Sequence, residues 1–270
     1  MVNRDPVFVR SGDFVRFQQY GVKLDFPNEV GNEEYYSWLD EMIASIDRLV
    51  PGARIVEKEQ DRSDPRRNSG VYYDTDDYRL LCGHMVLRTT SNPKTHAFCA
   101  FKYGADEKGI RRDHRYIFDG EDKFTVQTSP TGDAAVAVVK RLLSRQDVMH
   151  PGIVLAEATG IQPQDLTPAL LLVQHRRTFY VWLDGEDALR CSMDRAEVTD
   201  LRSVGGTAKT GRFSEVEVPI FPRISPGLLD DPRVQELIDV LSGSVTDRFG
   251  VTVVHDSKYR RGARTIGLPL

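Results

Sequence analysis

The stretch VYYDTDDYRLLCGHMVLRTT, Val71–Thr90, decides how the rest of the chain is read. Gly70–Tyr73 and Met85–Thr90 are rich in β-branched and aromatic side chains and predict two strands. Between them lies YDTDDYRLLCGH. Its Asp74 is placed to organise the turn that follows the first strand, because a short carboxylate accepts hydrogen bonds from backbone N–H groups just ahead of it. In the second strand, Leu87 and Thr89 oppose Val86, Arg88 and Thr90, since successive side chains of a strand point to opposite faces. One of those faces carries an arginine.

Working outward, the same alternation of apolar and charged residues recurs. In Val22–Phe26, Val22, Leu24 and Phe26 oppose Lys23 and Asp25. In the strand expected over His96–Tyr103, Lys102 shares a face with Phe98 and Ala100. His114–Phe118 reads as a further strand. Leu170–Leu183 is a long one, turned by Asp184–Asp187 into a hairpin partner, Ala188–Asp194. There Leu189, Cys191 and Met193 oppose Arg190, Ser192 and Asp194. In Glu215–Ile220, Val216 and Val218 oppose Glu215 and Glu217, and Val251–Val254 is a short strand. Helices are expected over Glu33–Val50, Ala134–Arg145 and Pro232–Leu241. In the first, Tyr35, Trp38, Leu39, Met42, Ile46 and Leu49 share one face behind Asn32 as N-cap. A charged loop (57–69) and a Pro/Gly connector (149–164) join these elements. No linker is long enough to demand two domains. The expected class is therefore α+β, with residues 1–19 as an N-terminal extension and 20–270 as one domain.

The charged faces have two readings. An antiparallel sheet commonly leaves one face in water, where charges do nothing specific. Alternatively the apolar faces turn outward against the helices and the charged faces line a central cavity. Lys and Arg there would grip phosphate oxygens, and carboxylates would hold a hard divalent cation. Periodicity does not choose between them.

Composition narrows the classes. Of 270 residues, 40% are hydrophobic, which sustains a core; the net charge of −4 argues against bulk nucleic-acid binding. The three cysteines, Cys82, Cys99 and Cys191, form no CxxC pair. They read as inert core thiols in a reducing cytoplasm. No apolar run suits a signal peptide or a membrane span. GGTAKTG (Gly205–Gly211) lacks the phosphate-loop pattern and reads as a loop; Asp74, Asp76 and Asp77 lack EF-hand spacing. The basic tail RRGAR reads as a solvated end.

Val71–Thr90 resembles the "YFDTPDLRLLRRGLSLRxR" segment of the CYTH family, the triphosphate tunnel metalloenzymes. Further similarities follow in order: Phe98–Gly104 resembles "LTLKG", Phe213–Pro219 resembles "EIELE", the helix from Pro232 follows, and Ser257–Arg261 resembles "SKYERG". The resemblance spans about residues 20–263. It implies an antiparallel eight-stranded β-barrel, a triphosphate tunnel, with helices packed outside. It implies Mg2+ or Mn2+, and a small polyphosphate or nucleotide ligand. Family members include triphosphatases and class IV adenylyl cyclases, a relative polymerises polyphosphate, and members often pair as homodimers.

Carried over residue by residue, the resemblance assigns phosphate binding to Lys23, Arg88, Lys102, Arg112, Arg177 and Lys258. Thr90 stands where the family has a second arginine. The choices between Arg111 and Arg112, and between Arg176 and Arg177, rest on register, since one of each pair points inward. Glu215 and Glu217 match an acidic pair with catalytic and metal-binding roles, and Asp194 joins them as a metal ligand. The family's first-strand E-x-E-x-K is replaced by Gly21, Lys23 and Asp25. Two functions follow: a divalent-metal-dependent phosphohydrolase of triphosphate or nucleotide-type substrates, or a degenerate tunnel that binds such a ligand without turnover. The substrate and the roles of residues 1–19 and of the loop at 57–69 are not legible.

Overall fold

The computed structural model describes residues 14–19, 21–27, 29–57, 62–104, 111–203, 207–221 and 224–268. Its strands are β1 (Phe14–Gln19), β2 (Gly21–Asp25), β3 (Ala53–Glu57), β4 (Arg66–Asp74), β5 (Val86–Ser91), β6 (Ala97–Tyr103), β7 (Arg111–Ile117), β8 (Thr167–Leu183), β9 (Glu186–Asp200), β10 (Thr210–Pro219) and β11 (Thr252–Val253). Its helices are α1 (Asn32–Leu49), α2 (Arg79–Cys82), α3 (Gly120–Thr128), α4 (Asp133–Leu143), α5 (Pro151–Thr159), α6 (Pro226–Leu229), α7 (Pro232–Phe249) and α8 (Lys258–Thr265). None is long and apolar enough to cross a membrane among the described residues.

The strands form one antiparallel sheet in the order β1-β7-β6-β5-β4-β8-β9-β10-β2-β11, with β3 beside β8. This corrects the expected closed barrel of eight strands. The sheet has 11 strands, and no ladder joins β1 to β11 among the described residues. Part of the difference lies in the expected extension: Phe14–Gln19 pairs with β7. Residues 1–13 lie outside the described residues.

The apolar faces do turn toward the helices. Phe179, Val181, Leu189, Cys191, Met193, Val216 and Val218 are buried with Trp38, Leu39 and Ile46 of α1 and Leu237, Ile238 and Leu241 of α7. Val71, Tyr73, Leu87, Cys99 and Phe101 are buried with side chains of α3, α4 and α5. Each buried aliphatic or aromatic side chain contributes about 1.5–3 kcal/mol, so the sheet is oriented by its apolar face. The alternation then forces the charged face to the other, concave side. The concave face curls: Arg88 of β5 and Glu217 of β10 interact electrostatically, although β4, β8 and β9 lie between their strands. Cys82, expected in the core, is exposed, while Cys99 and Cys191 are buried. The helix over Gly120–Thr128 buries only Val126, so it left no apolar stripe to read.

Candidate functional site

One end of the concave face is filled by the C-terminal helix. The basic tail is not a solvated end: Arg261 and Ala263 are buried. Ser257 caps α8, its Oγ accepting from the Arg260 N–H. Tyr259 stacks on Tyr72 of β4 at 4.8 Å between ring centroids and donates its O–H to Asp74 at 2.9 Å. Ala263 and Ile266 pack with Leu170, Leu172, Ala196 and Val198 of the sheet. With that side of α8 on apolar side chains, Lys258 and Arg261, one turn apart, reach the acids of β9, β10 and β2.

Those acids form a tight group. Single carboxylate oxygens of Asp194, Glu215 and Glu217 all lie within 4.8 Å of one another. The Lys258 ammonium touches all three, at 3.1 Å from Asp194, at 2.8 Å from Glu217 and in contact with Glu215. Arg176 grips Asp194 with two N–H groups, at 2.8 and 2.6 Å, and reaches Glu217 at 2.8 Å. Arg261 pairs with Glu215 and with Asp25. Lys23 lies opposite Glu217 in the β2–β10 ladder. Burial alone would push the Asp194 carboxyl up, but Arg176 and Lys258 hold it well below the usual carboxylate range. Four carboxylates thus face four cations. A divalent ion such as Mg2+ needs several free oxygens at about 2.0–2.1 Å. The middle of this group already holds an ammonium, so the residues present do not fit a resident divalent ion beside Lys258.

The neighbouring part of the face carries more cations than carboxylates. Lys102 and Arg115 both pair with Asp113, at 2.9 and 2.6 Å. Arg88 donates to the Tyr72 hydroxyl at 3.1 Å. Its Nε is sealed from solvent and has no hydrogen-bond partner. Arg190 is pushed below its ordinary value by burial and by the charges of Arg176, Arg66 and Arg115. Among the described residues no carboxylate pairs with Arg88 or Arg190. Burial would raise Asp113, but Arg115 and Lys102 hold it well below the ordinary range. Lys102 is pushed down to about 7: burial, with Arg88 and Arg115 nearby, outweighs the attraction of Asp113.

Of the residues expected to meet phosphate, Lys23, Arg88, Lys102 and Lys258 are on the concave face. Arg112 and Arg177 are not. Lys102 pairs with Asp113 in the β6–β7 ladder, so Asp113 and Arg115 point inward and Arg112 points away. Arg112 is exposed, its guanidinium carbon 5.7 Å from the centre of the Tyr103 ring. Arg176 opposes Asp194, which turns Arg177 to the helix side, 5.8 Å from the ring of Tyr36 on α1. Arg176, the alternative to Arg177, is the inward member of that pair, while Arg115, Arg190 and Arg261 were not among the expected site residues. The alternation in β9 had already put Arg190 beside Asp194. Of the two expected catalytic acids, Glu215 is fully buried between Lys258 and Arg261, while the Glu217 side chain keeps 19% exposure.

The fold resembles that of HpAC1 from Hippeastrum. That protein, an adenylyl cyclase candidate described as having a dominant triphosphatase activity, aligns over 93% of this chain and 97% of its own. The TM-score is 0.52 and the identity 12%. A candidate adenylate cyclase from Bacillus halodurans aligns over 91% of this chain and 97% of its own, at 13% identity and a TM-score of 0.49. No protein-family model matches the sequence, and no curated protein matches it. The likeness to HpAC1 is one of fold.

A hollow of about 530 Å³ lies elsewhere, between α1 and α7. Its charged lining is Glu41, Asp239, Asp247 and Arg248, a poor match for an anion.

The low-lying Lys102 gives a pH signature. Its ammonium is charged below about pH 7 and neutral above, whereas in the unfolded chain it keeps its proton to about pH 10.4. Between these values the unfolded state binds more protons, so this lysine's contribution to stability rises with pH over that window. Its contribution to anion binding runs the other way and falls as the proton leaves. The affinity advantage of the wild type over Lys102→Met for tripolyphosphate is expected to shrink about tenfold between pH 6 and pH 9, one lost charge contact being worth about 1.4 kcal/mol or more. Calorimetric titration of both proteins across that range checks it. A constant ratio would remove Lys102 from the binding face.

Proposed function

We propose that this chain is a divergent CYTH-type protein that binds the phosphates of a triphosphate or nucleotide on its concave face and hydrolyses a phosphoanhydride there. The observation that carries this reading is the cationic part of the face: Arg88 and Arg190, with no carboxylate paired to either among the described residues, beside Lys102 and Arg115 sharing Asp113. Guanidinium groups half-buried without a directly paired carboxylate are completed by an anion. Phosphate oxygens suit their planar N–H donors. In such a site catalysis is mostly positioning and charge stabilisation. Arg88 and Lys102 neutralise the developing charge, and Glu217, the one member of the acidic group that keeps some solvent contact, orients the attacking water. The triphosphatase description of HpAC1 supports the reading. Mg2+ or Mn2+, which the resemblance implies, enters as an ion carried on substrate phosphates.

A second reading, binding without turnover, is favoured by Asp194 and Glu215, whose oxygens are held in ion pairs. Phosphate release from tripolyphosphate, ATP and thiamine triphosphate, each with Mg2+, Mn2+ or EDTA, separates the two. The first reading expects turnover of at least one substrate, lost in Glu217→Gln while that ligand still raises the melting temperature. A rise in melting temperature without phosphate release selects the second reading. Neither signal with any ligand would sink both.

A further inference from the structure

We infer that the Lys258 ammonium is the resident cation of the Asp194–Glu215–Glu217 group, standing where a divalent metal would stand and making phosphate capture independent of one. The inference concerns the same concave face, and rests on the phosphate reading only for that last consequence.

Asp194 Oδ1 accepts from Arg176 Nε, and its Oδ2 meets both Arg176 and Lys258. Glu215 Oε1 meets Lys258 and its Oε2 meets Arg261. Glu217 Oε1 meets Lys258 and its Oε2 meets Arg176. Every carboxylate oxygen of the group is therefore already engaged by a cation. A hard divalent ion needs the same oxygens at shorter range, and the like charge of three side chains opposes its entry.

Lys258 is also held in place. It is the first residue of α8, whose next residue, Tyr259, is fixed by its stack on Tyr72 and its bond to Asp74. Its side chain is 8% exposed, so there is little solvent into which the ammonium could retreat. On the other side of the group, Lys23 occupies the β2 position opposite Glu217, so that strand supplies a further positive charge rather than a ligand. With these cations balancing the carboxylates, the positive charge of the neighbouring Arg88–Lys102–Arg115 region is not spent on neutralising them, whatever the ambient cations.

Mn2+ uptake, followed by the loss of the free-ion paramagnetic resonance signal, tests this. The wild type is expected to take up no Mn2+ at concentrations to about 1 mM, and its melting temperature should not move with Mn2+ or Mg2+. Lys258→Ala opens three carboxylates. It is expected to bind one Mn2+ per chain and to gain about 5 °C or more of melting temperature from it. Uptake of one Mn2+ by the wild type, abolished in Glu215→Gln, would overturn the inference. So would a folded Lys258→Ala that takes up none. If that variant does not fold even with Mn2+ present, the wild-type titration decides alone. The phosphate reading has its own arm: tripolyphosphate should raise the wild-type melting temperature in EDTA. Failure of that arm with the Mn2+ results unchanged removes the ligand and leaves the internal cation standing. A tripolyphosphate effect that appears only with Mg2+ overturns the claim of metal independence.

Discussion

Asp74→Ala is expected to lower the stability of the fold by about 3–5 kcal/mol, through loss of several buried hydrogen bonds to one carboxylate. Asp74 is fully buried at the end of β4. One oxygen accepts the N–H groups of Thr75 and Leu80, both at 2.8 Å; the other accepts from the Leu81 N–H and the Tyr259 O–H, both at 2.9 Å. Leu80 and Leu81 lie in the first turn of α2, whose N–H groups have no partner within the helix. Alanine would leave those donors and the Tyr259 hydroxyl buried and unmatched, each at a cost of about 1–3 kcal/mol. Burial and the Asp74 charge push the Tyr259 phenol well above its ordinary value, so it stays a donor throughout the accessible pH range. The effect reaches the charged face: Tyr259 is the anchor that holds Lys258 and Arg261 against the acids. Asp74→Asn keeps an oxygen acceptor and should lose about half as much. Urea unfolding checks both, with a lowered midpoint and an unchanged slope. A loss under about 1 kcal/mol for alanine would show that α8 docks without this bond.

The same residue marks how far the sequence could be read. Asp74 was legible because its partners at 75, 80 and 81 are close in sequence. The alternation assigned Lys23, Arg88, Lys102, Arg190, Asp194, Glu215 and Glu217 to charged faces, because a strand's two-residue period is local. What it could not give was which of two adjacent charged residues turns inward. In Gln174–Thr178 both faces are polar, since Arg177 is covered by Tyr36 from α1 and Arg176 by Asp194 from β9. Neither cover is near in sequence. The tail failed for a related reason: Lys258–Arg264 is polar in composition, and the carboxylates that make its burial favourable come from β2, β9 and β10. Closure of the sheet was not legible either. β1 and β3 carry no clean alternation to the eye, and adding them changes the count on which a barrel depends.

Arg88→Gln is expected to weaken tripolyphosphate binding about 100-fold, or about 2.7 kcal/mol, while leaving the melting temperature of the unliganded protein nearly unchanged. The two effects differ because, among the described residues, no carboxylate pairs directly with Arg88; Asp113 and Glu217 attract it only through space. Among the described residues its hydrogen-bond partner is the neutral Tyr72 hydroxyl, its Nε has none, and Lys102 stands close enough to be depressed by it. Removing this partly buried cation relieves desolvation and the repulsion of Lys102, and gives up the attraction of Asp113 and Glu217, so the empty protein changes little. The anion that would repay those terms loses its best-placed planar donor. Arg176→Gln makes the control with the opposite pattern. Arg176 holds the fully buried Asp194 through two N–H groups, so its loss leaves that carboxylate to Lys258 alone and should cost about 3 kcal/mol of stability whether or not ligand is present. Calorimetric titration with tripolyphosphate in EDTA, together with melting curves of both variants, separates a charge kept for a ligand from one kept for the fold. Retention of affinity within about threefold in Arg88→Gln, or a fall of several degrees in its unliganded melting temperature, would place Arg88 with Arg176 among the charges that serve the fold, and would take the phosphate reading's main support with it.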